Sequence, residues 1–133
     1  MKPSRPLPEA FSMVEVLAAI AIIGVITFLA VPNIVRVKQD GEDNLARARA
    51  ETLNLAIASL VQANGGTAAQ TAWSANSTDA GRFATLRNYI AFSETNWTSY
   101  MPNGYGVTNW PTNINPPNSK VRAVRSADSV ILY

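Results

Sequence analysis

Few side chains in this chain could do chemistry, and the most conspicuous is an acid in an apolar setting. Glu15 directly precedes the run VLAAIAIIGVITFLAV, Val16 to Val31, whose only polar side chain is Thr27. A carboxylate held ionised within such a stretch costs about 2.5–3.5 kcal/mol on insertion scales, so it calls for a partner. No Lys or Arg lies between Arg5 and Arg36. Cutting the chain after Ala10 would create a cation, the amino group of Phe11, one helical turn from Glu15; that amine could equally belong to a neighbouring chain.

Other chemistries are poorly supplied. The chain has no His and no Cys, so a Ser–His–Asp triad lacks its base, and the usual zinc, iron–sulfur and haem sites lack their ligands. No catalytic residue, metal ligand or cofactor is expected. Asp40, Glu42 and Asp43 lack the spacing of a calcium-binding EF-hand loop and read as a solvated helix face. A formal charge of +2 is a weak sign of nucleic-acid binding; Arg122 and Arg125 read as solvated strand residues, and no nucleic-acid partner is expected. Trp73, Trp97, Trp110, Tyr100 and Tyr105 read as core, which a domain this small needs more than a stacking surface. Asn76-Ser77-Thr78 and Asn96-Trp97-Thr98 match glycosylation sequons, a frequent chance match in an Asn- and Thr-rich chain.

The elements that position these residues begin with the apolar run. Phe11 to Val31 makes about 32 Å of helix at 1.5 Å per residue, against a bilayer core of about 30 Å. A chain of 133 residues has too little remaining apolar surface to cover a helix hydrophobic on every side, so the reading is a single membrane span. Lys2 and Arg5 ahead of it keep the N-terminal side cytoplasmic. A removable signal peptide is disfavoured, because Phe28 is too large for a cut after Ala30 and a cut after Ala21 would leave half the run in place. Pro32 removes a backbone donor and Gly24 costs about 1 kcal/mol relative to Ala, so a kink or local melting is expected between them.

Beyond Pro32 the pattern becomes amphipathic. Ala46, Ala50, Leu53, Ile57 and Leu60 form one helical stripe. Arg36 with Asp40, Lys38 with Glu42, and Asp43 with Arg47 and then Glu51 are spaced for pairs four apart on the outer faces. The helix should end near Asn64, Gly65 and Gly66 in a left-handed cap. A second, short helix is expected after an N-cap at Thr78 or Asp79, burying Phe83, Leu86 and Ile90. Loops follow at Pro102-Asn103-Gly104 and at Pro111, Pro116 and Pro117. The end, KVRAVRSADSVILY, reads as a hairpin turning at Ser126, Ala127 and Asp128.

LPEA followed by FSMVEVLAAIAIIGVITFLAVPNI resembles the prepilin N-terminal motif of type IV pilins and of the pseudopilins of type II secretion. The family's first mature Phe, its Glu, its Gly and its Pro fall on Phe11, Glu15, Gly24 and Pro32; where the family prefers Gly before the cut, this chain has Ala10. The resemblance implies cleavage between Ala10 and Phe11 by a prepilin peptidase and N-methylation of Phe11. It also implies an assembly role for Glu15, Gly24 and Pro32 in a helical filament of copies of the chain. The expected partners are further copies of itself, the prepilin peptidase, the assembly platform, minor pseudopilins and membrane lipid. The Val31-Pro32-Asn33 junction, the compact length and the lack of Cys look most like the major pseudopilin of type II secretion. That protein commonly binds calcium in its C-terminal loop, whereas this chain offers only Asp79, Glu94 and Asp128 as acids after Gly65.

The expected fold is α+β and pilin-like, a long membrane-spanning N-terminal helix packed against a small C-terminal antiparallel sheet. It divides into a leader (1–10), a transmembrane half-helix (11–32), an amphipathic soluble half-helix (33–64) and a small globular head (65–133). The expected location is the bacterial inner membrane, single-pass, with the head on the extracytoplasmic side. The alternative is a monomeric inner-membrane-anchored binding domain with no filament role.

Overall fold

The computed structural model describes residues 10–91 and 94–132. The leader expected over 1–10 lies, except for Ala10, outside the described residues. Helix α1 runs from Met13 to Asn64. It is followed by α2 (Gly66–Ser74), α3 (Asp79–Leu86), a 3-10 turn (Arg87–Tyr89), α4 (Trp97–Tyr100), and strands β1 (Tyr105–Thr108) and β2 (Arg122–Arg125). The layout is α+β: a long apolar N-terminal helix and a small two-stranded antiparallel sheet. The chain forms two compact units, Met1–Gln39 and Asp40–Tyr133.

In the first unit α1 is continuous. Pro32 lies inside it, and no melted segment interrupts the stretch from Gly24 to Pro32, contrary to the expected local melting. Proline removes one donor, and the hydrogen bonds of neighbouring turns persist around it. Thr27 spends its hydroxyl inside the helix, donating to the Ile23 carbonyl at 2.8 Å, so the one polar side chain of the run makes no outward demand.

In the second unit the inward face of α1 is lined by Ala46, Ala50, Leu53, Ala56, Ile57 and Leu60, all buried, the stripe expected from the spacing. Three alanines on that face let other segments approach closely. Trp73, Phe83, Leu86, Ile114, Val121 and Ala123 are among the residues that join it in the core. The Trp73 indole N–H donates to the Pro111 carbonyl at 2.8 Å, which seats the proline-rich loop on α2. Asn54 clips the entrance of β2 to α1: its amide donates to the Val121 carbonyl at 3.0 Å and accepts the Val121 N–H at 2.9 Å. One side chain thus stands in for a neighbouring strand.

Gly65 closes α1 with φ 78° and ψ 152°, a conformation open to glycine that lies outside the left-handed helical cap expected there. The chain then re-enters helix at once as α2, an element the sequence did not announce. At Gly66 an added Cβ would fall 1.6 Å from the Asn115 side-chain nitrogen, so its lack of a side chain admits the loop. Helix α3 begins as expected, with the Thr78 hydroxyl accepting the Gly81 N–H at 3.2 Å, and it buries Phe83 and Leu86.

The C-terminal hairpin forms only in part. Val124 bridges Ile131, and the Leu132 N–H reaches the Ala123 carbonyl at 2.9 Å. The main partner of β2 is instead β1, antiparallel, with Tyr105 opposite Arg125 and Thr108 opposite Arg122.

Candidate functional site

Among the described residues, two groups carry the chemistry considered above. The first is the start of α1. Ala10 and Phe11 precede the helix, and Phe11 is 83 % exposed. The Ser12 carbonyl accepts the N–H groups of Glu15 and Val16 at 3.0 and 3.2 Å, which places Glu15 in the first turn. Ser12-Met13-Val14-Glu15 has the spacing of a helix-starting Ser-x-x-Glu box, a local signal present in the sequence, and a carboxylate there complements the positive end of the helix. Gly24 lies further along, with nothing within 4 Å of where a Cβ would sit. Pro32 follows about 12 Å on by helical rise. The fold therefore brings Phe11 and Glu15 within a turn of each other and spaces Gly24 and Pro32 out along the same helix.

From Ala10 to Gln39 every residue except the half-buried Ala30 is exposed. The most apolar 18-residue window of α1 has a mean hydropathy of 2.7, and none of it is buried. The helix is long and apolar enough to cross a membrane. Exposed apolar patches of more than a few hundred Å² mark membrane or protein interaction surfaces.

The second group lies in the Asp40–Tyr133 unit and overturns two expectations. Asp43 does not belong to a solvated face; it is 9 % exposed. Arg125 is not a solvated strand residue. Its guanidinium forms an ion pair with Asp43 and a second one with Asp128 at 2.7 Å. The Tyr105 hydroxyl donates to Asp43 Oδ1 at 2.7 Å, and Arg125 Nε donates to the same oxygen at 3.3 Å. The physical reason is the helix period, because stepping back three residues from Ala46 continues the buried stripe onto Asp43. A carboxylate on an inward face must be paired. Antiparallel register then sets Tyr105 opposite Arg125, so both strands deliver a donor to the one acid.

The Tyr105 hydrogen bond and the adjacent Arg125 hold the Asp43 carboxyl below the usual carboxylate range, against the opposing effect of burial. The same bond to Asp43, together with burial, raises the Tyr105 phenol. For Asp128, burial pushes upward, and the hydrogen bonds from Arg125 and the Val130 N–H outweigh it, leaving the carboxyl lowered. The Arg125 guanidinium is raised, first by its hydrogen bond to Asp43. The arrangement keeps an acid ionised, a phenol neutral and a guanidinium charged, and so acts as a clamp between α1, both strands and the C-terminal turn.

The aromatic side chains fall where a core reading puts them. Trp73, Phe83 and Tyr100 are buried, with Trp97, Tyr105 and Trp110 packed against them. The Arg82 guanidinium lies over the Trp73 and Trp110 rings, 5.5 and 5.7 Å from their centroids. Asp79 accepts the Trp110 indole N–H at 2.8 Å, and Asp128 is engaged with Arg125. Asn76 of the first sequon is turned inward, donating to the Ala72 carbonyl and to the Thr85 hydroxyl.

Compared with protein-family models, curated proteins and solved structures, the chain matches none.

Proposed function

We propose that this chain is a structural, non-enzymatic subunit of a type IV pilus-like filament, closest in kind to a pseudopilin of type II secretion. In this reading a prepilin peptidase cuts between Ala10 and Phe11, the new Phe11 amine is methylated, and the apolar half of α1 anchors the subunit in the inner membrane. The head then lies on the extracytoplasmic side until the subunit joins the filament.

The observation that supports this reading best is the combination at the start of α1. A helix with no buried residue over its apolar window needs either lipid or neighbouring helices around it. Glu15, its only charged side chain before Arg36, calls for a cation that no side chain of the span supplies. A plain anchor gains from such an acid only a favourable start to its helix. A polymer gains more, because the Phe11 amine of an adjoining subunit neutralises it on docking.

The test is the mass of the mature N-terminus in protein extracted from membranes. The expected chain starts at Phe11 and is one methyl group heavier than the unmodified sequence, and Ala10→Gly is processed at least as fast. A mature chain that keeps Met1, or that starts after Ala21 or Ala30, overturns the processing step.

A further inference from the structure

The head carries an apolar groove apart from the Asp43 clamp. It lies between the outer flank of α1 and the proline-rich loop, lined by Leu55, Val61, Pro111, Ile114, Pro116 and Pro117, with a volume of about 460 Å³. Leu55 is 63 % exposed although it points into the groove's mouth. Three of these six lining residues are prolines, whose fixed φ makes the wall stiff before anything binds. Lys120 and Glu51 both line the groove, and the Lys120 ammonium has no ion-pair partner among the described residues.

The same unit carries a second exposed apolar patch. Among the described residues from Asp40 onward, the exposed large aliphatic side chains are Leu45, Leu55, Val130 and Ile131. Val130 and Ile131 are consecutive, 44 % and 53 % exposed, and follow the turn that Arg125 and Asp128 hold in place. No residue of this tail lines the groove, so donor and acceptor surfaces are separate on one copy. Two different patches joined between copies make a head-to-tail contact that need not close on itself, which is the geometry of an open polymer.

We infer that the groove between Leu55 and Pro116-Pro117 receives the Val130-Ile131 tail of a second copy of this chain, with Lys120 at its rim facing the acceptor's neighbour at Asp128. Asp128 is 44 % exposed at its side chain while bonded to Arg125, and a carboxylate has lone pairs for a further donor. The rim pair sets orientation, and the apolar insertion supplies the attraction. The Asp43–Arg125–Asp128 clamp thereby acquires a second consequence, since it fixes the direction in which the tail projects. The inference rests on the filament reading and names the contact between heads within it.

The chain has no Cys, so engineered thiols report this contact without background. Full-length Leu55→Cys and Ile131→Cys chains carrying different tags are co-expressed in cells assembling filaments, then treated with a mild oxidant. Both positions are exposed, so neither substitution unpacks the core. The expected result is a disulfide-linked heterodimer joining the two tags, absent when either chain is expressed alone, and a multimer ladder when both substitutions share one chain. Filaments without the mixed bond overturn the inference and leave the filament reading standing. So does a bond closing within one chain, or one joining Leu55→Cys to a different protein. No filaments from the parent chain removes both.

Discussion

Asp43 illustrates how a single position can be read two ways from its neighbours in sequence. Beside Asp40 and Glu42 it looks like part of an acidic surface, and four residues before Arg47 it looks like half of a helix pair. Counted back from Ala46 it belongs to the inward face, and the structure follows that count. The partners could not be inferred, because Tyr105 and Arg125 reach Asp43 only through a strand register set by tertiary packing. Asp43 has a folded-state pKa below its unfolded value. Its contribution to stability is therefore present above about pH 4 and is lost as the pH falls through the lowered folded value. Thermal unfolding of the detergent-solubilised chain should show a melting temperature that drops below about pH 4. Asp43→Asn should melt lower at neutral pH and lose part of that acid dependence. Tyr105 is shifted the other way, so its contribution is present below about pH 10 and is lost as the pH rises through its raised value. Tyr105→Phe should cost about 1 kcal/mol at neutral pH, one hydrogen bond, and remove the alkaline component.

At the scale of elements, legibility followed the range of the interactions that stabilise each one. The stripe from Ala46 to Leu60 and the Thr78 cap depend on residues three and four apart, and both were readable. Helix α2 was not: it starts after Gly65 with no side-chain cap and opens on Gly and Thr, which favour helix weakly. Its support comes from Trp73 anchoring to Pro111 and from Gln70, which accepts the Ile114 N–H at 2.8 Å. Strand β1 reads as loop in sequence because Gly104 and Gly106 bracket Tyr105. Its partner β2 is reached only after the proline-rich loop. The two faces of α1 in the head give a direct comparison. Leu53 is fully buried and Leu55 is 63 % exposed. Leu53→Ala should cost about 2–5 kcal/mol in denaturant unfolding, and Leu55→Ala less than about 0.5 kcal/mol. Equal losses would mean that the inward face of the helix has been misassigned. Of the candidate site, the Glu15 anomaly is legible in the sequence from its apolar neighbours, whereas its place in the helix start depends on where the helix begins, at Met13.

For the whole molecule, the contrast between the two units is the main physical fact. The Asp40–Tyr133 unit contains the buried core, while the most apolar window of α1 holds no buried residue. A division of this kind marks the N-terminal helix as an interaction surface for lipid or for other protein. On the proposed reading that partner is lipid before assembly and other subunits after it, and Glu15 makes the second state preferable to the first. Glu15→Gln separates charge from structure well, since Gln also serves at the third position of a Ser-x-x-Glu/Gln helix start and is close to Glu in size. It removes the attraction to a neighbouring amine and leaves that ammonium unpaired, a loss of about 3–5 kcal/mol for a buried pair. The most direct measurement is electron microscopy of cells overexpressing the full chain with its assembly machinery, parent beside Glu15→Gln. Membrane extraction and N-terminal mass are followed in both. The account predicts filaments from the parent, and a Glu15→Gln chain that reaches the membrane and is cut after Ala10 yet forms none. A parent chain that stays monomeric in the membrane, or filaments of normal number and length from Glu15→Gln, would contradict it.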